Sequence, residues 1–218
     1  LLQEAKLPKN VQSRLLERSE GNPFYLEEVI RSLIETGVLQ RQNGGWALVE
    51  GVEQIHIPDT LQGVLLARID ALDEDVRQTL QLASVIGRSF LYRILETVSE
   101  ANGDLDDHLA RLQRADLVRE HARLPEREYI FKHALTREVV YDSILSKRKK
   151  MLHQKIGEAI EDLYRENIDQ YYGVLSEHFI ISGNHEKGAE YSMLARKKAS
   201  KAGSLTDAIE YAKKRVGC

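Results

Sequence analysis

The sequence predicts an all-α, mainly helical protein, and three observations carry that expectation. Only four prolines occur in 218 residues, so long stretches lack a helix breaker. Apolar residues recur at helical spacing along most of the chain. Strand-like patterning is confined to two short stretches.

The first clear helix is expected from about Asn22 to Thr36. Asn22 is a favourable N-cap, and Pro23 takes the first helical position, where its missing N–H costs nothing. Leu26, Val29, Ile30, Leu33 and Ile34 form one apolar stripe, Glu27 and Glu28 favour the dipole of the early turns, and Gly37 ends the helix. Val38–Arg41 and Trp46–Val49 flank Asn43-Gly44, a hairpin signal. From Pro58 helices resume. One has Leu61, Val64, Leu65, Ile69 and Leu72 on a face. Others run from Glu74 to Ile86, with Asp73 as cap, from Phe90 to Val98, and from Asp104 to Leu117.

Leu117–His121 and Glu128–Phe131 then read as two short strands. Three helices followed by a two-stranded ribbon is the order of a winged helix; a plain helix–hairpin–helix bundle fits the same pattern. Lys132 to Glu166 reads as one long helix or two joined ones. Three helices follow, roughly Gln170–Ser182, His185–Lys201 and Leu205–Val216. Gly188-Ala189-Glu190-Tyr191 is echoed by Ala208-Ile209-Glu210-Tyr211, which suggests the start of a tetratricopeptide-like α-solenoid.

Composition narrows the function. The net charge of −3 gives no global pull on nucleic acid or anionic lipid. The single cysteine, Cys218, allows no intrachain disulfide and has no evident catalytic context. No apolar run reaches transmembrane length and no leader opens the chain, so a cytoplasmic protein is expected, with no membrane partner. Both ends fall inside amphipathic patterns, which suggests an internal fragment of a longer protein. His56, His108, His121, His153, His178 and His185 show no zinc spacing, so no metal site is expected. No Gly-x-Ser-x-Gly elbow occurs.

Glu17-Arg18-Ser19-Glu20-Gly21-Asn22-Pro23-Phe24-Tyr25-Leu26-Glu27-Glu28 resembles the motif closing the nucleotide-binding core of the STAND class of AAA-related signal-transduction ATPases. Pro58-Asp59-Thr60-Leu61 with Leu66-Ala67-Arg68-Ile69-Asp70-Ala71-Leu72 is similar to the start of that family's winged-helix region. Ala83–Phe90 and Phe131–Tyr141 resemble its later stretches. The tail from Tyr171 resembles the tetratricopeptide region of bacterial members, often fused to adenylate or guanylate cyclase or transcriptional output domains.

The resemblance implies a helical lid with a hairpin over residues 1–57, a winged-helix-like domain over 58–145, and a helical linker with the first solenoid helices over 146–218. It implies ATP or ADP with Mg in the parent protein, contacted by Gly21, Pro23 and His133, the last reaching the β-phosphate of ADP in the closed state. Imidazole suits that role because it donates to phosphate and can gain charge near neutral pH. An upstream nucleotide-binding core and a protein on the solenoid are the implied partners. The phosphate-binding loop Gly-x-x-x-x-Gly-Lys-Ser/Thr and the acidic magnesium strand are absent, so this stretch is expected to have no catalytic site and no cofactor of its own.

Each site residue also has a plainer reading. Asn22-Pro23 explains a helix start without a ligand. His133 suits a helix start beside the wing. The basic run Lys147, Arg148, Lys149 and Lys150 is a candidate phosphate-contact patch, but such runs commonly form solvated faces or junctions. A winged helix reads DNA through its third helix. That helix opens here on Asp104, Asp106 and Asp107, which repel a phosphate backbone. Arg119, Arg123 and Arg127 on the wing and Arg111 and Arg114 further along offset this only in part. The alternatives to a switch module are therefore a DNA-binding winged-helix regulator with a helical dimerisation tail, and a structural connector.

Overall fold

A computed structural model describes residues 5–6, 9–19, 21–42, 45–49, 60–99 and 104–201. They are mainly helical, as the sequence predicts. The expected helix Leu205–Val216, half of the tail echo, Asn43-Gly44, His56, the stretch Pro58-Asp59 and Cys218 lie outside the described residues. Contacts divide the chain into two units after Asp73.

The first unit contains β1 (Ala5–Lys6), α1 (Lys9–Ser19), α2 (Pro23–Glu35), β2 (Leu39–Gln42), β3 (Gly45–Leu48) and α3 (Leu61–Asp70). Helix α1 precedes the first helix the sequence marked clearly. The N-cap of α2 is Asn22, whose side chain accepts a hydrogen bond from the Phe24 N–H at 3.0 Å, with Pro23 behind it at the start of the helix. Gly37 follows at φ +72°, a left-handed turn that releases the chain into β2. Strands β2 and β3 pair antiparallel, Leu39 with Leu48, which is the expected hairpin; β1 adds in parallel, Ala5 with Trp46. Thr60 caps α3 by accepting from the Gly63 N–H.

The core of this unit is Leu15, Tyr25, Val29, Ile30, Leu33, Leu39 and Val64. Beside it lies an ion cluster. Arg68 of α3 forks onto Glu35 at 2.8 and 2.9 Å and pairs with Glu28, both side chains of α2. The Arg68 and Glu28 side chains are 1% and 3% exposed. Helix α3 thus groups with the hairpin unit by contact, although the sequence boundary was expected at residues 57–58.

The second unit begins with α4 (Glu74–Ile86), β4 (Ser89–Leu91), α5 (Tyr92–Val98), α6 (Leu105–Arg114), β5 (Val118–Ala122) and β6 (Glu128–Phe131). The three strands form one antiparallel sheet in the order β4-β6-β5. Helix–strand–helix–helix–strand–strand is winged-helix topology. The structure corrects one expectation: Phe90 opens no helix but lies in β4, paired with Tyr129. Its ring stacks on Tyr129 and meets Phe131 edge-on, each at 5.8 Å, so burial in the aromatic core decides its backbone.

The stretch expected as one long helix or two joined ones is two: α7 (Ala134–Asp142) and α8 (Ser146–Leu163). Helix α8 packs on α4 and α5 and, on another side, on α9 (Tyr172–Ser182). A 3-10 turn over Arg165–Gln170 connects α8 to α9, and Gly183 at φ +92° turns α9 into α10 (His185–Lys201). Tyr164 at the end of α8 donates to Glu126 of the wing at 2.7 Å.

Two glycines set how closely these helices approach. A Cβ on Gly157 of α8 would meet the Phe179 ring at 2.9–3.3 Å. One on Gly188 of α10 would meet Ile180 Cγ1 at 2.7 Å and its backbone nitrogen at 3.1 Å. Gly188→Ala should gain about 1 kcal/mol of helix propensity but lose more to overpacking, typically about 1–3 kcal/mol. Urea unfolding is expected to show net destabilisation; an unchanged midpoint would mean that α9 and α10 part at no cost.

Candidate functional site

The nucleotide-motif residues of the first unit form a tight helix entry. Gly21 adopts φ +80° and is exposed, and a Cβ there would meet nothing within 4 Å. Its glycine therefore serves the backbone angle rather than close approach. The Asn22 N–H donates to the Ser19 carbonyl at 2.6 Å, and Pro23 is exposed. Sequence reasoning gave Glu28 only a dipole role. In the structure it joins the two motif stretches that the sequence singled out, through Arg68.

The remaining predicted site residues lie in the second unit. His133 is half-buried and occupies the N-cap of α7 in extended conformation, and its side chain makes no capping bond. The basic run falls at the start of α8, where positive charge opposes the helix dipole. It does not act as one patch. Lys149 pairs with Asp142 at 3.6 Å and sits 4.3 Å from the Tyr141 ring centre. Lys147 and Lys150 are exposed, and Arg148 lines a cleft.

That cleft, about 390 Å³, is walled by α4, α6 and α8. Helix α4 contributes Asp75, Gln78, Thr79 and Leu82, which stand on one face by their spacing. Helix α8 contributes Arg148, Leu152 and Lys155, and Val98, Ser99, Asp104 and His108 complete the lining. Two cations, Arg148 and Lys155, and two carboxylates, Asp75 and Asp104, thus line it together with Leu82, Val98 and Leu152.

On the winged-helix face, the third helix and the wing are bonded to each other. Arg127 of the wing donates to Asp106 at 3.0 Å and to the Tyr129 hydroxyl, and its guanidinium lies 4.4 Å over the Tyr92 ring. Asp107 pairs with Arg111 at 2.9 Å and reaches Arg114 at 3.9 Å. Arg123 pairs with Glu120, and Arg119 is exposed.

No protein-family model and no curated protein matches this chain.

A third grouping escaped the sequence reading altogether. His153 of α8 and His178 of α9 are buried, with their Nδ1 atoms 2.8 Å apart, and His153 Nε2 is 3.0 Å from the Tyr141 hydroxyl. Two imidazoles meeting nitrogen to nitrogen need one donor and one acceptor, which two neutral rings supply. Burial holds both below the usual imidazole range; for His178 the neighbouring His153 adds to this, and for both the Arg137 charge does. The residues are 25 positions apart on separate helices, so no local spacing announces them.

Among the described residues no group of three or more His, Cys, Asp or Glu could hold a metal ion, and no helix is long and apolar enough to cross a membrane.

Proposed function

We propose that the chain is a regulatory and interaction part of a multidomain signal-transduction NTPase of the STAND type, coupling nucleotide state to partner sensing and to an output such as nucleotide cyclisation or transcription. The observation that carries this over a DNA-reading regulator is the cross-bonded winged-helix face. Asp106 and Arg127, on the third helix and the wing, satisfy each other, while Asp107 takes up Arg111 and Arg114. Charges already paired within the fold have less to offer a phosphate backbone. The order of the motifs supports the same reading.

In the intact protein Gly21 and Pro23 would lie against nucleotide and His133 would reach the phosphate of ADP, with ATP or ADP and Mg bound mainly by an upstream core. The α9–α10 hairpin, with Gly188 at its tight crossing, would be the first helix pair of a solenoid that receives a protein partner. The cytoplasm is the compartment that fits.

His133→Ala in the intact protein removes one charge-assisted contact made only in the closed state, worth about 1.5–3 kcal/mol. The closed-to-open ratio should shift roughly ten- to a hundred-fold, raising partner-free output and weakening ADP retention. Unchanged ADP affinity together with a lower melting temperature would make His133 a packing residue. Duplex DNA should bind weakly and be released by salt; salt-resistant, sequence-selective retention would favour the DNA-binding alternative.

A further inference from the structure

We propose that the cleft between α4, α6 and α8 binds a small phosphate monoester carrying free hydroxyl groups, of the sugar-phosphate class. Arg148 and Lys155 are seven residues apart, about two turns, and both line the cleft from α8. Two cations on one wall suit a dianionic phosphate, and the arginine fork can take two of its oxygens at once. A dianion there would also relieve the crowding of positive charge at the start of α8.

The opposite wall asks for donors. The Thr79 hydroxyl gives its only proton to the Asp75 carbonyl at 3.0 Å. Its oxygen lies 2.9 Å from His108 Nδ1, within hydrogen-bond distance. The other ring nitrogen, Nε2, can bond a hydroxyl as donor or as acceptor. His108 is 9% exposed and lines the cleft, and the Asp75 and Asp104 carboxylates add acceptors. Ligand hydroxyls would meet all three. Among the described residues no Phe, Tyr or Trp side chain lines the cleft, so a nucleobase would find no large ring to stack on. The volume of about 390 Å³ falls within the range of small-molecule sites. The site does not depend on the nucleotide-switch reading, and its test does not involve His133.

Calorimetric titration of the chain with glucose 6-phosphate and ribose 5-phosphate tests the assignment. Glucose, inorganic phosphate and AMP serve as comparators. At least one sugar phosphate should saturate one site and bind more tightly than every comparator. Arg148→Gln and Lys155→Gln should each weaken it about tenfold or more, with circular dichroism unchanged. Lys147→Gln, on the same helix turn but outside the cleft, should leave affinity within about twofold. No saturation by either ester below about 10 mM would overturn the proposal. So would equal binding of inorganic phosphate, tighter binding of AMP, or an equal loss with Lys147→Gln, which would mean diffuse surface charge rather than a built site.

Discussion

Arg68→Leu is expected to cost the first unit about 3–5 kcal/mol, the scale on which a broken buried ion pair destabilises a fold. The change leaves Glu28, whose side chain is 3% exposed, without its counter-charge between α2 and α3. Small domains have only about 5–15 kcal/mol to lose, so the hairpin unit should melt well before the rest of the chain. Glu35 is 32% exposed at its side chain and can turn to water. Replacing Glu28 and Arg68 together by leucine should therefore recover most of the loss, because the two charges leave as a pair. Hydrogen exchange across Pro23–Glu35 and Leu61–Asp70 would follow this unit separately. A loss below about 1 kcal/mol for Arg68→Leu would mean that water reaches Glu28 and that the cluster behaves as a surface one.

Acid should unfold the second unit through the histidine pair. Both rings are held neutral in the fold, His153 being pushed down to about 4 chiefly by burial. An unfolded histidine takes its proton near pH 6.5. Below that pH the unfolded chain binds more protons than the folded one, so stability falls as pH falls. The loss should reach about 1.4 kcal/mol per pH unit for each ring between about pH 6.5 and pH 4, and stability should be fully present above pH 7. His178→Leu removes one of the two rings and should roughly halve the slope above pH 5, where carboxylates contribute little. An unchanged slope would place the acid sensitivity elsewhere in the chain.

The elements most legible in the sequence are those whose signals are local. Asn22-Pro23 and Gly37 fix helix ends through their own backbone chemistry, and the structure has them there. The winged-helix order was readable because α4, α6, β5 and β6 each carry their own pattern. Strand β4 was not, because three residues show no period and its partner is some forty positions downstream. The break between α7 and α8, which the sequence left open, falls where Ile144 is buried between exposed neighbours. For the candidate sites the contrast is sharper. The basic run was visible as a run, yet its members have different neighbours, and only Arg148 reaches the cleft. The cleft walls, α4, α6 and α8, are distant from one another in sequence. The same holds for His153 with His178 and for Glu28 with Arg68: each residue looked ordinary beside its chain neighbours, and only the fold brings the partners together.

Helix α8 has a consequence for how this chain can be divided. It is a party wall: the winged helix leans on one side through α4 and α5, and the α9 hairpin on another. Ile156 and Ile160 of this helix are both nearly inaccessible. The Tyr164–Glu126 bond fastens the far end of the same helix to the wing. A chain ending at Leu145 would bare apolar surface on the winged helix, and one starting at Ser146 would bare the matching surface on α8. The two parts should therefore open as one cooperative block rather than as modules that evolution or a protease can separate between them.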